Sequence, residues 1–173
     1  MQKHTTSAQS VLTFAEVRAH DQVMRYRRAG AGRPLLLLRA SPDSQPLWSE
    51  LDAALVDTFR VLTPEVPAAG VDVAAWLRDF LEGIGVERVT IVAGDSLCIA
   101  ALEMALLGAE QVERMVLVPA GAASGTGLDG TLATSMSGVA VPLLVVRRGL
   151  SATDAMPLLT QFLGLAEPAQ PTG

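Results

Sequence analysis

Four short, unbroken apolar runs set between stretches of helical period constrain this chain more than any other feature. Pro34-Leu-Leu-Leu-Leu38, Val89–Ala93, Met115–Val118 and Pro142–Val146 carry almost no polar alternation. None approaches the eighteen or so residues needed to cross a bilayer. A short run that is apolar at every position is a strand covered on both faces. Phe59–Pro64 reads as a further strand, and Val11–Ala19 with Gln22–Arg28 as an antiparallel hairpin turning at His20-Asp21.

The helical periods fall between these strands. From Ser44 to Phe59, Leu47, Leu51, Leu55 and Phe59 recur every four residues, with Trp48 beside them and Pro46 tolerated in the first turn. Asp72 is placed to cap a second helix with an apolar face of Val73, Leu77, Phe80, Leu81 and Ile84, ending near Gly85. Leu97–Leu107 has a single charge, Glu103, and such a helix belongs in the middle of a fold, covered by neighbours. Ser151–Leu163 forms a last helix, weakened at its centre by Pro157. Ala120–Gly138, rich in Gly, Ser and Thr, reads as a long loop. Strand–helix alternation with buried strands predicts an α/β fold: a mainly parallel sheet with helices on both faces. One domain is expected over residues 10–165, with flexible termini at 1–9 and 166–173.

Half of the residues are apolar and the net charge is −5, which argues against nucleic acid as a partner. A single cysteine, Cys98, forms no internal disulfide. The N-terminus lacks the apolar stretch of a signal peptide, so the expectation is a soluble, cytoplasmic chain with no membrane partner. Residues 1–39 hold seven of the thirteen basic residues and two acids. This reads as a solvated hairpin with outward arginines rather than a docking surface. No His/Cys/Asp cluster predicts a metal. Gly30-Ala31-Gly32 precedes no helix, so no dinucleotide is expected, nor any other cofactor.

Val-Thr-Ile-Val-Ala-Gly94-Asp95-Ser96-Leu97-Cys98 runs from a buried strand directly into an apolar helix. A serine there can sit on a strained backbone above the carboxyl edge of the sheet, with free helix N–H groups beside it. The spacing resembles the Gly-x-Ser-x-Gly nucleophile elbow of the α/β-hydrolase superfamily, with Cys98 where the second glycine is expected. The stretch Arg39-Ala40-Ser41-Pro42-Asp43-Ser44-Gln45-Pro46-Leu47-Trp48 is similar to the family's His-Gly-x-Pro-x-Ser segment and its following tryptophan. Pro42, Ser44 and Trp48 fall in register, and Arg39-Ala40 replace the His-Gly pair. The order of elements also matches, which implies a minimal α/β-hydrolase-like core with a reduced lid.

The resemblance implies Ser96 at the nucleophile position, oxyanion donors at the backbone of Leu97 and Ser41, and a pocket near Arg39, Ala40, Asp95 and Trp48. It also implies an acid and then a histidine later in the chain. Asp154 is the candidate acid, though a carboxylate in a first helical turn is also explained by the helix dipole. Both histidines, His4 and His20, precede Ser96, and ten residues follow Leu163, where an eighth strand and a histidine loop would come. Cys98 at a helix start invites a thiolate reading, but a small core residue is favoured. The resulting expectation is a catalytically degenerate member with an incomplete triad, serving binding or assembly. A small acyl or carboxylate ligand is expected, with self-association through the exposed seventh strand or last helix. The alternatives are an esterase or thioesterase using Ser96 with a base from another subunit, and non-hydrolytic chemistry in the remnant pocket using Arg39 or Asp95.

Overall fold

The third strand, β3 (Arg33–Leu38), divides its leucines between two cores. Leu36 and Leu38 join one buried cluster and Leu35 and Leu37 the other. The computed structural model describes residues 12–39, 46–67, 70–119, 136–146 and 150–165. In it β1 (Thr13–Ala19), β2 (Gln22–Ala29), β3, β4 (Phe59–Pro64), β5 (Val89–Gly94), β6 (Val112–Val118) and β7 (Leu143–Val145) form one sheet ordered β1-β2-β4-β3-β5-β6-β7. β4, β3, β5, β6 and β7 run parallel, and β1 and β2 are antiparallel additions beside β4. The β1–β2 turn is made by His20 and Asp21, whose φ values of 47° and 61° suit a two-residue hairpin.

Because successive strand residues point to opposite faces, the central strands feed both cores. Ile91, Ala93, Met115 and Leu117 face the first, and Val92, Val116 and Val118 the second. The first core is covered by α2 (Val73–Gly83) and α3 (Leu97–Leu107). The second is covered by α1 (Pro46–Thr58) and α4 (Ala152–Leu163), through Leu47, Leu51, Leu55, Ala155, Leu159 and Leu163. Each fully buried leucine contributes about 1.5–3 kcal/mol of transfer free energy, so the leucine-rich sheet centre compensates for scarce aromatics.

The expected α/β architecture with helices on both faces is therefore the observed one. Asp72 caps α2 by accepting a hydrogen bond from the Ala75 N–H at 3.0 Å. α4 continues through Pro157, held at its start by Ser151 and at its last turn by Arg114, whose Nη1 donates to the Phe162 carbonyl at 2.6 Å. Two expectations are corrected. β7, at the sheet edge among the described residues, is half-buried at Leu143, Leu144 and Val145 rather than covered on both faces, while Phe59–Pro64 is the expected strand, β4, with α1 ending at Thr58. α3 is not covered all round, since Leu106 and Leu107 are 44% and 59% exposed. Segments 1–11, 40–45, 68–69, 120–135, 147–149 and 166–173, with the terminal and loop expectations that fall on them, lie outside the described residues. No helix among the described residues is long and apolar enough to cross a membrane.

Candidate functional site

Ser96 stands between β5 and α3 at the carboxyl edge of the parallel strands, with its side chain exposed. The backbone strain expected there falls one residue earlier. Asp95 has φ 55°, whereas Ser96 is in the right-handed helical region at φ −66°, ψ −19°. The Asp95 N–H still pairs with the Val118 carbonyl at 3.2 Å, so the β5–β6 ladder holds the residue as the chain turns over it. Ser96 makes no side-chain capping bond to the helix. Leu97 opens α3, where the first N–H groups lack helical partners.

Gly94 explains the close approach beneath this turn. A Cβ there would lie 2.5 Å from Cζ2 of Trp48, an indole only 4% exposed. Trp48 is thus the packing partner of the turn, and it also carries Arg39, whose Cζ stands 5.3 Å from the ring centroid. Arg39 Nη2 reaches Asp52 Oδ2 at 2.9 Å, with the arginine side chain 12% exposed. Asp52 Oδ1 is buried and unpartnered among the described residues. Burial raises the Asp52 carboxyl above its usual range, and the Arg39 charge opposes that rise.

Ser96, Leu97, Arg39 and Arg27 share a cavity of about 1110 Å³, with walls from the end of β4, the start of α2 and the open face of α3. That volume reaches the upper end of the range for small-molecule sites. Glu65, Asp72 and Glu103 also line it. Arg39 therefore faces the cavity. Arg27, which the sequence places among outward hairpin arginines, lies on its wall rather than only on the surface. Arg25, by contrast, is a surface residue, paired at 2.8 Å with Glu16 directly opposite on β1.

The remaining candidates lie elsewhere or outside the described residues. Asp154 is exposed in the first turn of α4, where its N–H binds Ser151 Oγ at 3.2 Å and its Oδ2 accepts the serine hydroxyl at 2.6 Å. That reciprocal cap accounts for the carboxylate. His20 sits at the hairpin turn, 3.4 Å from Asp79 of α2, and is not on the cavity wall. Ser41 and Ala40, with Pro42 and Ser44, lie outside the described residues, as does His4. Asp52 and Arg27 escaped the sequence reading. Asp52 had a signal, because it follows Trp48 by four residues and so shares its helix face. Arg27 had none, since only the β2–β4 pairing brings it to the site.

Cys98 is fully buried and donates to the Ala93 carbonyl at 3.4 Å. Burial pushes its thiol up to about 12, and the nearby Asp95 carboxylate adds to the rise. Alkylation by iodoacetamide at pH 8 should run roughly a thousandfold slower in the folded chain than after unfolding, from the thiolate fractions alone. A comparable rate in the folded chain would show that the thiol is open. Since the folded value lies above the 9.0 of an unperturbed thiol, the associated stability is present below 9.0 and is lost as pH rises toward about 12.

No family model matches the chain. An uncharacterized protein of Mycobacterium tuberculosis is 31% identical over 125 residues, which cover 66% of this chain and 36% of that protein. The soluble epoxide hydrolase of Corynebacterium sp. (strain C12) is 28% identical over 118 residues, covering 62% of this chain and 41% of the enzyme. The chain thus spans well under half the length of these relatives. Among solved structures, carboxylesterase CesB from Bacillus subtilis superposes with a TM-score of 0.55 at 21% identity, over 69% of this chain and 47% of the esterase. With its parallel sheet, two helical layers and strand–turn–helix at Ser96, the chain has the α/β-hydrolase fold.

Proposed function

We propose that this core binds a small acyl or carboxylate ligand in the cavity beside Ser96 and is not by itself a serine hydrolase. The supporting observation is that no imidazole stands on the cavity wall among the described residues. Both histidines precede Ser96, and His20 is engaged with Asp79 at the hairpin turn. Without a base, a serine hydroxyl remains a weak nucleophile, and loss of the histidine from a working triad costs about 10⁶ in kcat. Self-association through β7, which ends the sheet, belongs to the same proposal.

Hydrolysis of p-nitrophenyl acetate tests the reading. The rate should stay within about tenfold of an equimolar imidazole control, and Ser96→Ala should leave it unchanged. Turnover about a thousandfold above that control and abolished by Ser96→Ala would overturn the reading and favour a serine enzyme.

A second reading rests on Asp95, which holds the positive φ at the turn. A carboxylate needs no base to open an epoxide. Its oxygen bonds the ring carbon as the carbon–oxygen bond breaks, and the resulting alkoxide takes a proton from water. Intact mass after exposure to styrene oxide separates the two readings. One added equivalent that is lost in Asp95→Asn supports the second, and an unchanged mass supports the first.

A further inference from the structure

Arg39, Asp52 and Arg27 form a cluster of two cations and one anion at the edge of the cavity. Arg39 stacks on Trp48 and meets Asp52 through a single Nη2–Oδ2 contact of 2.9 Å. A guanidinium offers five N–H donors in a rigid fork, and among the described residues this is its one ion pair. Arg27 also acts on the Asp52 charge, and both arginines line the main cavity and the smaller recess of about 120 Å³ that holds Asp52. Asp52 lines the recess and is not among the residues lining the main cavity. Among the described residues the cluster has one more positive than negative charge, with the Arg39 side chain 12% exposed and Arg27 half-buried.

The rest of the cavity limits what can meet that charge. Glu65, Asp72 and Glu103 also line it, so a doubly charged headgroup would be repelled more strongly than a singly charged one. From Ser96, the open face of α3 continues through Ala100 to Leu107, about 16 Å along the helix axis. Leu107 is 59% exposed at the far end, beside Leu106 at 44%. One end of the cavity therefore carries the arginines, and the other is a largely apolar track along α3 that Glu103 interrupts.

We propose that the cavity selects monocarboxylates with an unbranched apolar tail, the carboxylate docking on Arg39 and Arg27 beside Ser96 and the tail lying along the open face of α3. The inference rests on the reading of this cavity as a binding site. It adds that the occupant is a free acid rather than a neutral ester or a dianion. Asp52 is then the internal competitor that the ligand carboxylate displaces from part of the Arg39 fork.

Titration calorimetry at pH 8 with decanoate, 1-decanol and decyl phosphate tests the proposal. Decanoate should bind at least tenfold more tightly than either of the others. Arg39→Gln should weaken decanoate tenfold or more while leaving 1-decanol unchanged. Asp52→Asn should tighten decanoate several-fold by removing the competing charge. Leu107→Asp, at an exposed position that the fold tolerates, should weaken decanoate and 1-decanol alike. Equal affinity for 1-decanol, preference for decyl phosphate, or weaker decanoate binding in Asp52→Asn would overturn the proposal, and the Asp52 and Leu107 variants decide it if Arg39→Gln does not fold. Ester turnover through Ser96 in a chain that still prefers decanoate would remove the non-hydrolytic reading alone. An inert chain indifferent to head charge would remove this inference alone.

Discussion

Phe80→Ala is expected to destabilise the chain by about 3–5 kcal/mol, the range for truncating a fully buried phenylalanine. The ring is completely buried on α2, edge-on to Tyr26 of β2 at 5.2 Å and 71°, and parallel to Trp76 at 6.0 Å. The chain has only seven aromatic residues, and three of them meet here. Removal leaves a void that aliphatic neighbours cannot refill without moving α2 from the sheet. A domain of ordinary stability has about 5–15 kcal/mol in total, so the variant should unfold at markedly lower urea. The midpoint should fall with little change in the slope of the transition. A loss below about 1.5 kcal/mol would mean that α2 packs far more loosely than its burial implies.

Gly30→Ala is the second large effect, expected at about 2–4 kcal/mol from overpacking and left-handed strain together. Gly30 has φ +76°, and a Cβ there would fall 2.3 Å from the carbonyl oxygens of both Phe59 and Val56. Those atoms belong to the backbone where α1 ends and β4 begins, so they cannot swing away as a side chain would. Gly70→Ala is the matched control: its φ is +82° but nothing lies within 4 Å of the added carbon. Thermal unfolding of the pair separates close approach from conformational strain. Alanine at 30 should cost clearly more than alanine at 70, and equal losses would assign the whole effect to φ.

The parts of the fold legible in the sequence are those fixed by local chemistry. Unbroken apolar runs give buried strands, Asp72 gives a cap, and the His20-Asp21 break gives a hairpin turn. Phe59 shows the limit of periodicity, because a residue can keep a helix's spacing and still reach the same core from the following strand. The Gly94-Asp95-Ser96 turn was legible as a place in the fold, but the residue that bears the positive φ was not. That choice depends on the β5–β6 ladder continuing to Asp95. The polar surroundings of Arg39 were only half legible. Trp48 and Asp52 share a helix face, while Arg27 arrives through an antiparallel pairing with Thr63, 36 residues on in sequence. The open face of α3 was hidden because composition records how apolar a helix is and not which side its neighbours leave bare.

The position of β3 has a consequence for how the chain is made. Both of its partners are synthesised after it: Leu36 pairs with Leu62 and, on the other side, with Ile91. At about 5–20 residues per second, the fifty-five residues to Ile91 take roughly 3–11 seconds to emerge. Until β4 arrives, 26 residues after Leu36, four consecutive leucines have no sheet to join, and one side of β3 stays open until β5, while the β1–β2 hairpin already has its own partner. Arg33 and Arg39 bracket the run, and charges at both ends of an apolar strand discourage pairing with other nascent chains. The centre of this sheet is therefore completed only when β5 arrives, long after its own leucines have been made.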